Sequence, residues 1–367
     1  MLWKKTLRGA EQYQQGSMKI PRSTQEMIPV KRILNDGMFV LDSGEYSKMF
    51  AFTDINYTEL RDEEKMRRLV DYSALLNSID KGIYAKISIF FRPIRQEQFE
   101  RDVLIPMNSE DELDDYRENM NTVLREQVRG TLGMTKQAYL TITAGRRNDE
   151  DAAAFFARVE GNLISSFQAL GVELRAVPLS ERLRLLHDIY RPGLEETFRY
   201  DAHAEKKLGM NWKDSIAPLS AEALNSCTHL KIGGRYCKTL FLNAYPIYLN
   251  DRIVSDIASI GKPMIFTIDF LPIPSAEAMA EAESRSMAID TKIVNYTLHQ
   301  QRNGNYSGSV PYKLMQRAAG VQEVMEAIQE RDQNLYLVTV TVAHFADTRE
   351  ELENDAESIM SKGKSIS

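Results

Sequence analysis

Hydrophobic positions along this chain recur with two periods, and the switches between them divide it into elements. Alternation by two marks a half-buried strand, and spacings of three and four mark an amphipathic helix. Residues 46–52 read as the first long strand, reached from Met38, Phe39, Val40 and Leu41 through the turn Asp42-Ser43-Gly44-Glu45. A helix is expected over residues 61–80, with Met66, Leu69, Val70, Ser73 and Leu76 on one face and Gly82 as its stop. The next strand alternates, with Ile83, Ala85, Ile87, Ile89 and Phe91 one way and Tyr84, Lys86 and Ser88 the other. An acidic helix over 110–129 precedes a strand with Ala138, Leu140, Ile142 and Ala144 on one face. Phe156, Val159, Leu163, Phe167 and Leu170 then define a helix that Gly171 ends, and residues 172–177 form a closing strand.

The second half runs through a similar order. A hairpin turns at Gly233-Gly234 into a strand over 236–242, and a helix from Asp251 carries Ile253, Ile257 and Ile260. A strand follows with Met264, Phe266, Ile268 and Phe270 on one face. Two long helices, over 275–301 and 312–331, flank the polar loop 303–309. A strand over 335–342 leads to a helix opened by the capping box Thr348-x-x-Glu351 and carrying Leu352, Ala356 and Ile359. Phe91-Arg92-Pro93-Ile94 in the first half is echoed by Phe270-Leu271-Pro272-Ile273 in the second.

Leaving out the acidic helix, the first half reads βαβ-βαβ, so the expected class is α+β. The expected architecture is a tandem of duplicated ferredoxin-like split βαβ units with extra long helices. Its antiparallel or mixed sheets are covered on one face by helices. The expected division is a polar, flexible arm over 1–29, a first unit over 30–200, a linker over 201–225 and a second unit over 226–367. The last helix of the second unit ends near Met360, leaving room for little of the strand that closes the first. The chain is therefore read as a piece of a longer polypeptide in which an apolar strand follows Ser367.

A length of 367 residues suits two or three domains. With 43% hydrophobic and 27% charged residues, disordered and fibrous classes drop out. The net charge of −6 disfavours binding of naked nucleic acid by bulk electrostatics. The two cysteines, Cys227 and Cys237, with no secretory signal ahead of them, read as thiols and not as a disulfide framework. No stretch approaches the roughly 20 apolar residues that cross a bilayer.

Each motif that suggests chemistry has a simpler explanation beside it. Gly363-Lys364-Ser365 has the look of the end of a phosphate-binding loop, but Ser358 stands where that loop needs its first glycine. It reads as a decoy, a glycine C-cap with a lysine at a helix end. Cys227-x-His229 with Cys237 offers three soft ligands, one short of a structural zinc site, within what reads as a hairpin. In Gly304-Asn305-Tyr306-Ser307-Gly308 the serine sits one place too late for a nucleophile elbow. Glu195-Glu196 and the run 110–115 read as solvated acid faces or helix-start charge. Tyr139 is an aromatic on a central strand, but the RNA-recognition pattern around it is missing. The basic groups Lys65-Met66-Arg67-Arg68 and Gly145-Arg146-Arg147 are short and flanked by acids. No catalytic residue, cofactor ligand or metal site is assigned.

Several stretches together resemble a known family. They are Lys19-Ile20-Pro21-Arg22-Ser23, Asp54-Ile55-Asn56-Tyr57, the run Arg182-Leu183-Arg184-Leu185-Leu186-His187-Asp188 leading into Arg191-Pro192-Gly193, Ile273-Pro274, and Arg331-Asp332-Gln333. In these the chain resembles the N-terminal region of the CagE/TrbE/VirB ATPases, the motors of type IV secretion and conjugation, in the form carried on integrative elements of Gram-positive bacteria. The resemblance implies that ATP, Mg²⁺ and catalysis belong to a C-terminal P-loop domain outside this sequence. It further implies a non-enzymatic docking and assembly region that contacts inner-membrane and other subunits of the transfer machinery. Such a region is cytoplasmic, held at the inner face of the bacterial cell membrane by protein partners, and able to join a homo-oligomer. Two rival expectations are a nucleic-acid-binding module that touches transferred DNA and a small-molecule-sensing ferredoxin-like pair.

Overall fold

The computed structural model describes residues 21–54, 60–93, 99–101, 103–108, 111–129, 134–202, 207, 209, 211–223, 228–243, 253–304, 309–331 and 333–366. The first half contains β1 (Val30–Ile33), β2 (Phe39–Leu41), β3 (Tyr46–Phe52), α1 (Asp62–Asn77), β4 (Tyr84–Pro93), α2 (Asp114–Arg129), β5 (Met134–Ala144), α3 (Asp149–Ala169), β6 (Leu174–Ala176) and α4 (Leu179–Tyr190). The second contains β7 (Ala221–Ala223), β8 (Leu230–Ile232), β9 (Arg235–Phe241), α5 (Ile253–Ala258), β10 (Met264–Ile273), α6 (Ser275–Arg302), α7 (Tyr312–Glu330), β11 (Leu335–Ala346) and α8 (Arg349–Ile366). The class is mixed α+β.

All of the strands join one antiparallel sheet in the order β1-β2-β3-β5-β4-β10-β11-β9-β8-β7, with β6 added to the far end of β3. β3 and β4 each run antiparallel to β5 between them, so they are parallel to each other and need the crossover helix α1. The same holds for β5 and β6, which flank β3 and are joined by α3. The order reads the same from either end once β6 is set aside. Its centre is the pairing of β4 with β10, from Met264↔Phe91 to Phe270↔Ala85, which is symmetric about Ser88↔Thr267.

The sequence reading placed a linker between two separate units, whereas the halves meet as neighbouring strands of one sheet. Described residues of that expected linker are built in: Trp212–Ser215 is a 3-10 turn, Ile216 is fully buried and β7 is a strand. The expected arm also differs. Residues 21–29 hold the 3-10 turn Gln25–Met27 and bury Ile28 beside Leu183 and Ile216.

One face of the sheet is covered by the crossover helices. Phe50, Ala85, Leu140 and Ile142 meet Phe156, Leu163 and Phe167 of α3, while Met264, Phe266, Val340 and Val342 meet Ile257 of α5 and Ile359 of α8. In the first half the other face is covered too, because α4 lays Leu185 on Phe90 and Tyr139. Truncating Phe50 or Phe156, both fully buried, to Ala costs about 3–5 kcal/mol.

α1 departs from expectation in its facing. Its buried side is Leu75, followed by Ile79 beyond its end, whereas Met66, Leu69 and Val70 are 63%, 54% and 61% exposed. The cause is anchoring at one end. Tyr336 donates to the Leu76 carbonyl at 2.5 Å, and Asn334 bonds Asn77 through both its backbone N–H and its side chain. Arg68 reaches the Ala169 carbonyl at 3.0 Å. Periodicity marks an apolar stripe but not what covers it.

Asp149, the first residue of α3, receives Arg32 of β1 at 2.7 and 3.1 Å and the Tyr46 hydroxyl at 2.7 Å. These hydrogen bonds hold its carboxyl down at about 2. A carboxylate whose folded pKa is depressed stabilises above its unfolded value, near 4, and loses that contribution as pH falls toward 2. Asp149→Asn is therefore expected to lower the urea midpoint at pH 7, by a gap that narrows as pH falls from about 4 toward 2, as read by parallel denaturation curves. A gap of the same size at pH 7 and at pH 2 would contradict the assignment.

Candidate functional site

The run on which the family resemblance leans most lies on α4, where it is a clamp. Arg182 is buried and donates to the carbonyls of Gly37 and Ser47 at 2.9 and 2.7 Å and to the Ser47 hydroxyl at 2.7 Å. Its guanidinium stacks 3.8 Å from the centre of the Phe39 ring. Burial pulls its pKa down to about 9, which still leaves it charged at neutral pH. Gly37 is required by the same packing, since a Cβ there would sit 2.6 Å from the Val177 carbonyl oxygen and φ is +84°. Arg191, just past α4, donates to the carbonyls of Ala217 and Asp214 at 2.8 and 2.5 Å. His187 is fully buried between Asp188 and the Thr197 hydroxyl, with the Phe198 ring 5.3 Å away. Asp188 binds Arg92 of β4 at 2.6 Å. These polar residues fasten the 211–217 segment and α4 to the sheet.

Beside the Arg92–Asp188 pair lies a cleft of 330 Å³, bordered by Glu195, Glu196, Pro263 and Arg235. Two of these charges are engaged: Glu195 accepts from the Gly193 N–H at 2.8 Å and Arg235 pairs with Asp347 at 2.7 Å. Glu195 thus serves a turn, Glu195–Thr197, and not an open acid face.

Gly363, Lys364 and Ser365 form the last turn of α8, which corrects the C-cap expectation: the helix continues through them to Ile366. A phosphate loop places these residues where a helix begins, with free N–H groups and the positive end of the dipole toward the anion. Here they stand at the opposite end, where unsatisfied carbonyls face outward. Cys227 lies outside the described residues. His229 is buried at the entry to β8 with its ring 6.0 Å from that of Tyr236, and Cys237 on β9 faces Leu230. Burial pushes the Cys237 thiol up to about 11, a poor ligand or nucleophile at neutral pH. Among the described residues, no group of three or more His, Cys, Asp or Glu side chains could hold a metal ion. Residues 305–308 of the serine-containing loop are outside the described residues.

Tyr139 is buried and meets Phe90 edge-on at 5.5 Å beneath α4, so its ring has no open face for a base. Within the acidic run, Asp111 and Asp114 both grip Arg117, and these bonds hold Asp111 at about 2. Arg146 lies 3.5 Å from the centre of the Phe155 ring, and the Arg147 N–H caps onto Asp151. Asp54 pairs with Lys136 at 2.5 Å.

Among the side chains that the fold leaves exposed are several apolar stripes. Met66, Leu69 and Val70 form an i, i+3, i+4 face on α1. Tyr116, Met120 and Val123 form an i, i+4, i+7 face on α2, and Met287, Val294 and Leu298 lie exposed along α6. α6 buries only Ala278 and Ala282, near its start, and α7 buries no residue. At 28 residues, α6 extends about 42 Å. Among the described residues, no helix is long and apolar enough to cross a membrane. Sequence reasoning placed α1's stripe on one face and named none on α2; which stripes stay exposed depends on neighbours that a single helix does not encode.

Arg182→Met is expected to cost about 3 kcal/mol, because it strands three buried acceptors, while Lys364→Ala stays within about 0.5 kcal/mol. Urea denaturation of the two variants checks both, and a parent-like Arg182→Met would contradict the clamp. Compared with family models and with curated proteins, the chain matches none.

Proposed function

We propose that this chain is the docking and assembly region of a type IV secretion ATPase, a conjugation motor, and that it contacts inner-membrane components of the transfer machinery. The observation that carries this is the exposed apolar face Met66, Leu69, Val70 on α1, in a molecule whose buried charges are already engaged in packing. Surface stripes of this kind suit a helix laid into a partner's groove. The residues behind the family resemblance support the same reading. On it the region is not an enzyme by itself: ATP and Mg²⁺ belong to a P-loop domain elsewhere in the full-length motor, and the chain sits at the cytoplasmic face of the membrane through its partners.

The finer architecture belongs to this proposal as well. Each half is read as a ferredoxin-like split βαβ unit, and the two as products of duplication. The order β6-β3-β5-β4, with α1 and α3 as crossovers, supports this for the first half. The symmetric order of the sheet about β4 and β10 supports the duplication.

Co-expression with the membrane subunits of its own transfer system tests the reading. The chain is expected to co-purify with one of them. Combined Met66→Ser, Leu69→Ser and Val70→Ser substitutions should weaken that association by about tenfold or more while leaving the thermal midpoint in place. Undiminished association of the folded triple variant would remove α1 from the interface. ATP hydrolysis that survives Lys364→Ala would defeat the non-enzymatic reading. Steeply salt-dependent DNA binding at about micromolar affinity would favour a nucleic-acid module instead.

A further inference from the structure

The symmetry of the sheet has one break. Under the two-fold through Ser88↔Thr267, Ala85 and Met264 are counterparts. Ala85 faces Ile142, which faces Lys48; Met264 faces His344, which faces Lys238. Lys48 and Lys238 are even tied to matching helices, to Glu160 of α3 at 2.9 Å and to Glu353 of α8 at 2.5 Å. The hairpin strands also correspond, since β2 covers Tyr46 and Ser47 of β3 as β8 covers Tyr236 and Cys237 of β9. Beyond that point β3 gains a further partner. Phe50, Ala51 and Phe52 pair with Ala176, Arg175 and Leu174 of β6. Their counterparts are Leu240, Phe241 and Leu242, and no described strand pairs with their outer edge.

We propose that the outer edge of β9 at residues 239–243 is the seat of a β-strand that leaves the C-terminal end of α8 and pairs antiparallel with β9, as β6 leaves α3 and pairs with β3. The backbone is already arranged for it. The Leu242 N–H bonds the Val340 carbonyl of β11 at 2.9 Å, so by alternation the N–H and C=O groups of Thr239 and Phe241 point outward. β3 shows the same polarity in its occupied form: the Thr53 N–H donates to the Glu173 carbonyl and the Val177 N–H to the Met49 carbonyl.

The side chains agree. In the first half Val172 and Leu174 are buried against Phe52 and Phe167, filling the space between the end of α3 and the sheet. In the second half the corresponding place is an apolar groove of 330 Å³ between Leu240, Leu242, Ile359, Met360 and Gly363. Phe241 is 67% exposed at its margin, and a Cβ built on Gly363 meets nothing within 4 Å. Because the last turn of α8 itself lines the groove, a strand continuing from that turn enters at the Leu242 end and runs back toward Lys238. Alternate residues must be apolar, opposite Leu240 and Leu242, as Leu174 and Ala176 are opposite Phe52 and Phe50. This rests on sheet register and not on the secretion reading, so the two fail separately.

The test appends a copy of residues 171–177 directly after Ser367 and follows amide hydrogen exchange in the whole chain. Exchange at Thr239 and Phe241 is expected to slow by about tenfold or more, and the thermal midpoint to rise. The same extension carrying Leu174→Asp in the appended copy should give neither effect. Unchanged exchange with the intact extension overturns the proposal, as does full protection of these amides in the unextended chain. Protection that the free peptide or a raised protein concentration produces equally well, with no advantage to the attached strand, would assign the edge to a separate chain and overturn the proposed source.

Discussion

The pairing of β4 with β10 is the constraint on which the rest of the structure depends. Seven registered pairs, from Met264↔Phe91 to Phe270↔Ala85, turn two half-sheets into one. Without it each half would expose a long, flat strand of high β propensity, the kind of edge that recruits other chains. With it, the outer strands of the sheet are the short β1 and β7, four and three residues long, with Lys31 and Arg32 on the first and Glu222 on the second. The hydrophobic centre of the molecule is thus internal to the chain, and its ends are short and charged.

The same pairing explains why alternation weakens where it should be clearest. In β4, Phe90 and Phe91 are both buried, as are Tyr139 and Leu140 in β5, because α3 packs on Leu140 and α5 and α8 on Phe91 at one face, while α4 covers Phe90 and Tyr139 at the other. Covering the second face brings polar backbone and loop segments inside, and Arg182 is what satisfies them. Its guanidinium serves Gly37 and Ser47, on the β1–β2 turn and on β3, while Arg191 serves the 211–217 segment. A lysine in place of Arg182 would not span those acceptors in one plane. The run Arg182 to Arg191 therefore has a packing reason for its charges, apart from anything a family likeness implies.

Local signals were legible in the sequence and long-range ones were not. β3, β5, α3 and β10 were readable from period alone, and Thr348 with Glu351 marked the start of α8, where the Thr348 hydroxyl accepts the Glu351 N–H at 3.2 Å. β1 and β7 were missed because Val30–Ile33 and Ala221–Ala223 are too short and too polar to show a period; they are strands only because β2 and β8 lie beside them. Gly363 was expected to end a helix, yet glycine forces an end only where the chain needs a positive φ, and here the helix simply continues. The face of α1 was misread for the reason most general to helices. Met66, Leu69 and Val70 announce an apolar stripe, but the contacts that orient α1 come from Asn334 and Tyr336, more than two hundred residues away.

That last error points to the logic of the molecule. Many charged side chains are held in pairs, among them Arg92 with Asp188, Asp111 and Asp114 with Arg117, and Lys262 with Glu351 and Asp355. Each pairing fixes a loop or seats a helix. The apolar groups left outside, on α1, α2 and α6 and along the edge of β9, have the opposite character, since water is their least favourable neighbour. A fold that leaves ordered apolar stripes exposed on helices gains free energy when another surface covers them. On the proposed docking reading, those stripes are the positions of contact.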